Sequence, residues 1–157
     1  MPIHRPDTVK RDVSDGSGNP CGPYEALLFS DAGGLTQFGA FVEILPPGSS
    51  SSIKHWHAEE DEMIYMLAGE VTVREGETST VLKPGEAATF KAGDPLGHCL
   101  ENTSDAPARY LVIGTRGAGD TVTYPDDDCI LTFDRKKDER SWTTLDGKPR
   151  GTPYAVD

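Results

Sequence analysis

His55 and His57 stand two residues apart in the run His55-Trp56-His57-Ala58-Glu59-Glu60-Asp61-Glu62. Side chains alternate along a β-strand, so a strand here would put both imidazoles on one face and Trp56 on the other. Their Cα atoms would lie about 6–7 Å apart, within reach of a single ion. A carboxylate follows within a few residues, and His98 supplies a third imidazole. The chain has four histidines, so three of them enter this pattern. Neutral imidazoles with one carboxylate suit a divalent transition metal. A His-x-His pair alone also decorates exposed strands; the spaced carboxylate and the third histidine are what point to an ion.

The chain around these residues reads as short strands. Strand formers fill residues 38–45, 53–57, 62–68, 71–73, 80–82, 87–90, 97–102 and 109–114. Between them come Pro46-Pro47-Gly48, Gly69-Glu70, Arg74-Glu75-Gly76-Glu77, Lys83-Pro84-Gly85-Glu86 and Ala92-Gly93-Asp94-Pro95, all turn chemistry. No segment of this core repeats apolar residues with a helical period. Short, regularly spaced strands with Gly/Pro turns predict an all-β sandwich or barrel. We expect a single domain over residues 1–157, with the barrel core at about 36–115. An N-terminal arm (1–35) rich in Pro, Gly, Asp and Ser precedes it, with an apolar piece at 24–29 suited to an added strand. A C-terminal extension (116–157) follows. In it, 121–124 reads as a strand, Asp126-Asp127-Asp128 as an acidic turn, and 129–133 as apolar enough to pack on the body. Residues 134–140 read as solvated, and the last residues as surface-draped.

The chain has 157 residues and a formal net charge of −11. Such a surface repels a nucleic-acid backbone and an anionic membrane. No apolar run approaches the roughly 20 residues that span a bilayer, and the N-terminus lacks a signal-peptide pattern. The expected location is cytoplasmic. Cys21, Cys99 and Cys129 are scattered and odd in number, and read as reduced, packed thiols.

The order of strands and ligands resembles the cupin family over roughly residues 36–115. Gly48, His55, His57, Glu62 and Gly69 resemble the first cupin motif; Gly85, Gly93, His98 and Asn102 resemble the second. Three departures stand out. One extra residue lies between Gly48 and His55, Lys91 replaces the usual proline, and two extra residues within 94–97 precede His98. The resemblance implies a single jelly-roll barrel in which His55, His57, Glu62 and His98 point inward and hold one divalent metal ion, zinc, iron, manganese or nickel. Glu59, Glu60 and Asp61 fall too close to His57 and read as loop, whereas Glu62 opens the next strand at the family's position. His4 lies in the arm and reads as a bystander.

Three imidazoles plus one carboxylate leave one or two positions for water or substrate. The metal could act as a Lewis acid or activate a bound water. The pattern is similar to small bacterial cupins labelled sugar-phosphate isomerases, which implies isomerisation or epimerisation of a sugar-like substrate. An iron(II) dioxygenase acting on a small thiol or diol is the alternative chemistry, and a non-catalytic cupin that binds a small ligand is the alternative class. Lys54, Lys91 and Arg109 flank the motif strands as candidate phosphate contacts; no acid/base residue can be singled out. The expected partners are a small-molecule substrate and a second copy in a homodimer, with residues 24–29 pairing to the partner's edge strand.

Overall fold

The computed structural model describes residues 1–154. Its strands in chain order are β1 (Arg11–Ser14), β2 (Tyr24–Leu27), β3 (Phe38–Leu45), β4 (Trp56–His57), β5 (Glu62–Ala68), β6 (Val71–Glu75), β7 (Thr78–Leu82), β8 (Ala87–Phe90), β9 (His98–Glu101), β10 (Ala108–Thr115), β11 (Gly119–Tyr124), β12 (Cys129–Asp134) and β13 (Glu139–Thr143). One helical turn, α1 (Phe29–Ala32), and a 3-10 turn (Pro125–Asp127) interrupt them. The fold is all-β, as the spacing of strand formers and turns requires.

Three sheets form, with strand orders β1-β2-β3-β10-β5-β8, β13-β12-β11-β4 and β7-β6-β9. The segment 55–57 stitches the last two together. His55 bridges His98 of β9, while Trp56 and His57 pair with Thr123 and Val122 of β11. The core is drawn from alternate positions of facing strands: Leu45, Ile64, Met66, Val71, Leu100, Tyr110 and Val112 are all buried. A second, smaller cluster (Val122, Tyr124, Cys129, Leu131) packs the C-terminal strands.

Two glycines fix chain reversals. Gly69 turns β5 into β6 at φ +71°, and a Cβ there would sit 2.7 Å from the Pro107 carbonyl oxygen. Gly93, at φ +78°, donates its N–H to the His57 carbonyl at 2.8 Å and so ties the second motif to the first. Asn102 closes the loop after β9. Its Nδ2 donates to the carbonyls of Leu45 and Ala106, both at 2.8 Å, and its Oδ1 accepts from Ser104.

Several expectations are corrected. The strand expected over 53–57 shrinks to Trp56–His57, with His55 held by an isolated bridge to His98 and no strand pairing with Ile53 or Lys54 among the described residues. Residues 74–75 continue β6 instead of turning, with the reversal at Gly76. Residues 135–140 are exposed, as expected of a solvated segment, but Glu139 and Arg140 also begin β13, which runs on to Thr143 against β12. The apolar piece at 24–29 does form a strand, but both of its edges are taken within the chain, by β1 and β3. It is therefore closed to a partner's edge. All three cysteines are free and buried. Among the described residues no helix is long and apolar enough to cross a membrane.

Candidate metal centre

His55, Glu62 and His98 each offer one donor atom, and these atoms lie within 4.8 Å of one another. His57 joins them, with its Nε2 3.9 Å from Glu62 Oε2 and its ring centroid 5.0 Å from that of His55. The His55 and His98 rings are 5.1 Å apart. The residues singled out by spacing are thus brought to one place from the segment 55–57, β5 and β9. The two-residue insertion before His98 is absorbed by the 94–97 loop. Reciprocal backbone hydrogen bonds between His55 and His98, at 3.1 and 2.8 Å, hold His98 in register.

The ring nitrogens are sorted by their neighbours. His55 Nδ1 lies 2.8 Å from the Ile53 carbonyl, an acceptor only, so Nδ1 carries the proton and Nε2 keeps its lone pair. His57 Nδ1 donates to Asp120 Oδ2 at 2.6 Å, which leaves Nε2 free on the Glu62 side. Such outer partners orient metal-binding imidazoles and raise their basicity. His98 stacks face to face on Phe90, with centroids 3.6 Å apart and planes at 3°. Its Nε2 is buried with no hydrogen-bond partner among the described residues. A buried nitrogen left this way costs about 1–3 kcal/mol, and a cation would satisfy it.

Electrostatics favour the same occupant. Burial holds His55 down to about 4, and burial with the neighbouring His55 and His57 holds His98 down to about 3. Both rings therefore stay neutral, the form that ligates metal. Burial raises the Glu62 carboxyl, and a divalent cation beside it would restore the anion. The donor set fits a divalent metal.

A second cluster, His57, Glu60 and Asp120, also brings donors together, but its oxygens are already engaged. Asp120 accepts from His57, from Glu59 N at 2.9 Å and from Thr121 N at 2.7 Å. Glu60 accepts from Gly117 N at 2.8 Å and from both terminal nitrogens of Arg135. It is a buried ion-pair partner. Glu59 and Asp61 act through loop contacts, and Asp61 binds Ala92 N at 2.8 Å. His4 sits against Gly33, apart from the cluster.

Three cavities open onto the imidazoles, the smallest of about 90 Å³ beside His57 and His98; the other two are larger. One, of about 280 Å³, is lined by His55, Glu62, Glu43 and Tyr110, with Ser51 and Ser52 also on its wall. The other, of about 570 Å³, lies between His57 and the C-terminal strands, lined by Leu131, Phe133 and Tyr154. Of the cations expected near the site, only Lys91 lies beside His57 and His98. Lys54 is committed elsewhere, and Arg109 is exposed, away from the cavities. Arg116 and Arg135 line the cavity of about 280 Å³ instead. Neither these arginines nor Asp120, Glu43 and Tyr110 stood out in the sequence, because only long-range pairing brings them here.

Comparison with known proteins gives the same picture. Residues 41–114 match the cupin domain model. A solved structure from Silicibacter pomeroyi, described as a sugar phosphate isomerase from a cupin superfamily, is 33% identical with a TM-score of 0.85, covering 99% of this chain and 100% of that one. One from Acidithiobacillus ferrooxidans, 24% identical with a TM-score of 0.81, covers 93% of this chain and 92% of that one. An oxalate-binding protein from Thermotoga maritima is 32% identical over 69 residues, which span 44% of this chain and about half (54%) of the relative. With a barrel of this topology, a full-length relative at one-third identity and both motifs in place, the chain belongs to the cupin superfamily.

Proposed function

We propose that this cupin holds one divalent metal through His55, His57, Glu62 and His98 and isomerises or epimerises a small, sugar-like hydroxy-carbonyl compound. The observation that carries the metal assignment is the sorting of nitrogens. The Nδ1 atoms of His55 and His57 are tied back, and the buried His98 Nε2 has no partner among the described residues. The Silicibacter pomeroyi relative, described as a sugar phosphate isomerase, supports the reaction class.

When bound, the ion would polarise a substrate carbonyl as a Lewis acid. The chain supplies the rest. The cavity of about 280 Å³ admits a small ligand and walls it with Ile64 and Val112. Glu43 lines it as a buried carboxyl able to hydrogen-bond a substrate. Arg116 and Arg135 add positive charge among the groups that line it.

The test is metal analysis of protein purified without added metal, followed by incubation with aldose–ketose pairs in deuterated water. Proton NMR should show deuterium entering the carbon next to the carbonyl. Metal-loaded protein that exchanges no such proton but consumes dioxygen with a diol would overturn the isomerase reading.

A homodimer is part of the same proposal. Met63, Tyr65 and Leu67 alternate outward on β5, and Leu111 and Ile113 do so beside them on β10. Tyr65 and Leu67 are 40% and 45% exposed. An apolar sheet face of this kind marks an interaction surface, and a second copy fits it. Replacing Tyr65 and Leu67 by Asp should convert a dimer mass in solution to a monomer mass; a monomeric wild type would exclude the dimer.

A further inference from the structure

Glu43 and Tyr110 stand directly opposite each other in the β3–β10 pair. Both face the barrel interior, at 6% and 0% exposure. The Tyr110 hydroxyl meets no partner at full hydrogen-bonding geometry among the described residues, and the Glu43 carboxyl is the polar group near enough to interact with it. Phe and Leu would fill these positions without a polar group to satisfy, whereas two facing polar side chains must be desolvated to be buried here. The two side chains are not sealed in the core. They line the cavity of about 280 Å³ that also touches His55 and Glu62. The metal does not need them, and they lie outside both metal-capable clusters.

The chemistry of this wall is specific. Burial pushes the Glu43 carboxyl up to about 8 and keeps the Tyr110 phenol protonated. At neutral pH both groups therefore donate and accept hydrogen bonds, as do the Ser51 and Ser52 hydroxyls on the same wall. A partner that also donates and accepts matches them, and that partner is an alcohol. The arginines that line this cavity, Arg116 and Arg135, are already paired with Asp31 and Glu60, so a carboxylate or phosphate beside Glu43 and Glu62 would meet acidic groups first. The volume falls just under the roughly 300 Å³ at which drug-sized pockets begin, so the ligand is small.

We infer that Glu43 and Tyr110 form a second subsite, on the wall of the cavity, which binds the terminal hydroxyl of a four- or five-carbon polyhydroxy ketone whose carbonyl end faces the histidines. The carbonyl half of this statement rests on the proposed metal; the hydroxyl half does not. Tyr110 and Glu43 set which chain length and which terminal group are accepted.

The experiment compares two probes, erythrulose and 1,3-dihydroxybutan-2-one, which differ only in the terminal hydroxyl. Calorimetric titration is run on metal-loaded and chelator-treated protein, with metal content measured in each sample. Wild type should prefer erythrulose by about 2- to 10-fold, the range of one hydrogen bond. Tyr110→Phe should erase that preference with metal content and melting temperature maintained. Glu43→Leu should do the same, and Glu43→Gln, which still donates and accepts, should keep it. The inference is overturned if Tyr110→Phe discriminates as wild type does, which would leave the hydroxyl to a bound water, or if wild type binds neither probe or both equally. Protein that takes up no metal yet still prefers erythrulose would refute the metal site and uphold the subsite.

Discussion

His57 Nδ1 and Asp120 Oδ2 meet at 2.6 Å across 63 residues of chain. The contact joins the motif strand β4 to the C-terminal strand β11, where Val122 pairs with His57 and Asp120 lies two positions along on the same face. The Asp120 carboxylate also caps the N–H groups of Glu59 and Thr121. It therefore fixes both the tautomer of His57 and the loop leading to Glu62. The C-terminal strands are part of the site's construction.

Asp120→Ala should consequently weaken metal binding by about 10- to 100-fold, the usual cost of losing an outer partner of a metal-binding histidine. Competition against a chelator of known affinity measures this. Unchanged affinity would mean that His57 does not ligate through Nε2.

What the sequence disclosed and what it hid divide along range. His55 and His57 share a face by local alternation, and Glu62 opens a strand whose limits, Glu62–Ala68, are written in its own residues and in Gly69. Asp120, Glu43 and Tyr110 carry no local mark. Each acquires its neighbour from strand register, as Tyr110 does from pairing with Glu43. β13 was hidden for a related reason. Glu139, Arg140 and Ser141 are exposed and polar, and the strand exists because β12 offers it a free edge. Ile53 and Lys54 differ in the opposite sense: their residue types suit a strand, but among the described residues no neighbouring strand pairs with them.

Two substitutions separate ligand from neighbour. His57→Ala should abolish stoichiometric metal binding in elemental analysis. Glu60→Gln should leave metal content unchanged while lowering stability by about 1–3 kcal/mol, because it breaks the buried pair with Arg135. Full occupancy in His57→Ala would place the ion elsewhere. A large loss in Glu60→Gln would make Glu60, not Glu62, the carboxylate ligand.

Glu43 makes stability depend on pH in a definite direction. Burial pushes it up to about 8 in the folded chain, against 4.5 when exposed. Between those values the folded state holds a proton that the unfolded state has released. Stability therefore falls as pH rises from about 4.5 to about 8, by at most about 1.4 kcal/mol per pH unit. Glu43→Gln carries no such proton. The variant should match wild type near pH 5 and exceed it by about 2–4 kcal/mol at pH 8 in urea titrations. A difference that does not change with pH would show that Glu43 titrates like an exposed carboxyl.

Metal removal tests the site through His98. In the absence of an ion, its Nε2 is buried without a partner among the described residues, while Phe90 holds the ring from one face. An ion that binds only the folded state, at 100 times its dissociation constant, adds about 2.7 kcal/mol. For a chain of this size that is a rise in melting temperature of roughly 5–11 °C, reversed by chelation. His98→Phe keeps the apolar stack and deletes the unsatisfied nitrogen, so it should melt at or above the temperature of the metal-free wild type and should not respond to added metal. That pairing of outcomes is what a ligand predicts and a packing residue does not: a histidine conserving only the core would lose stability on substitution and leave the metal response intact.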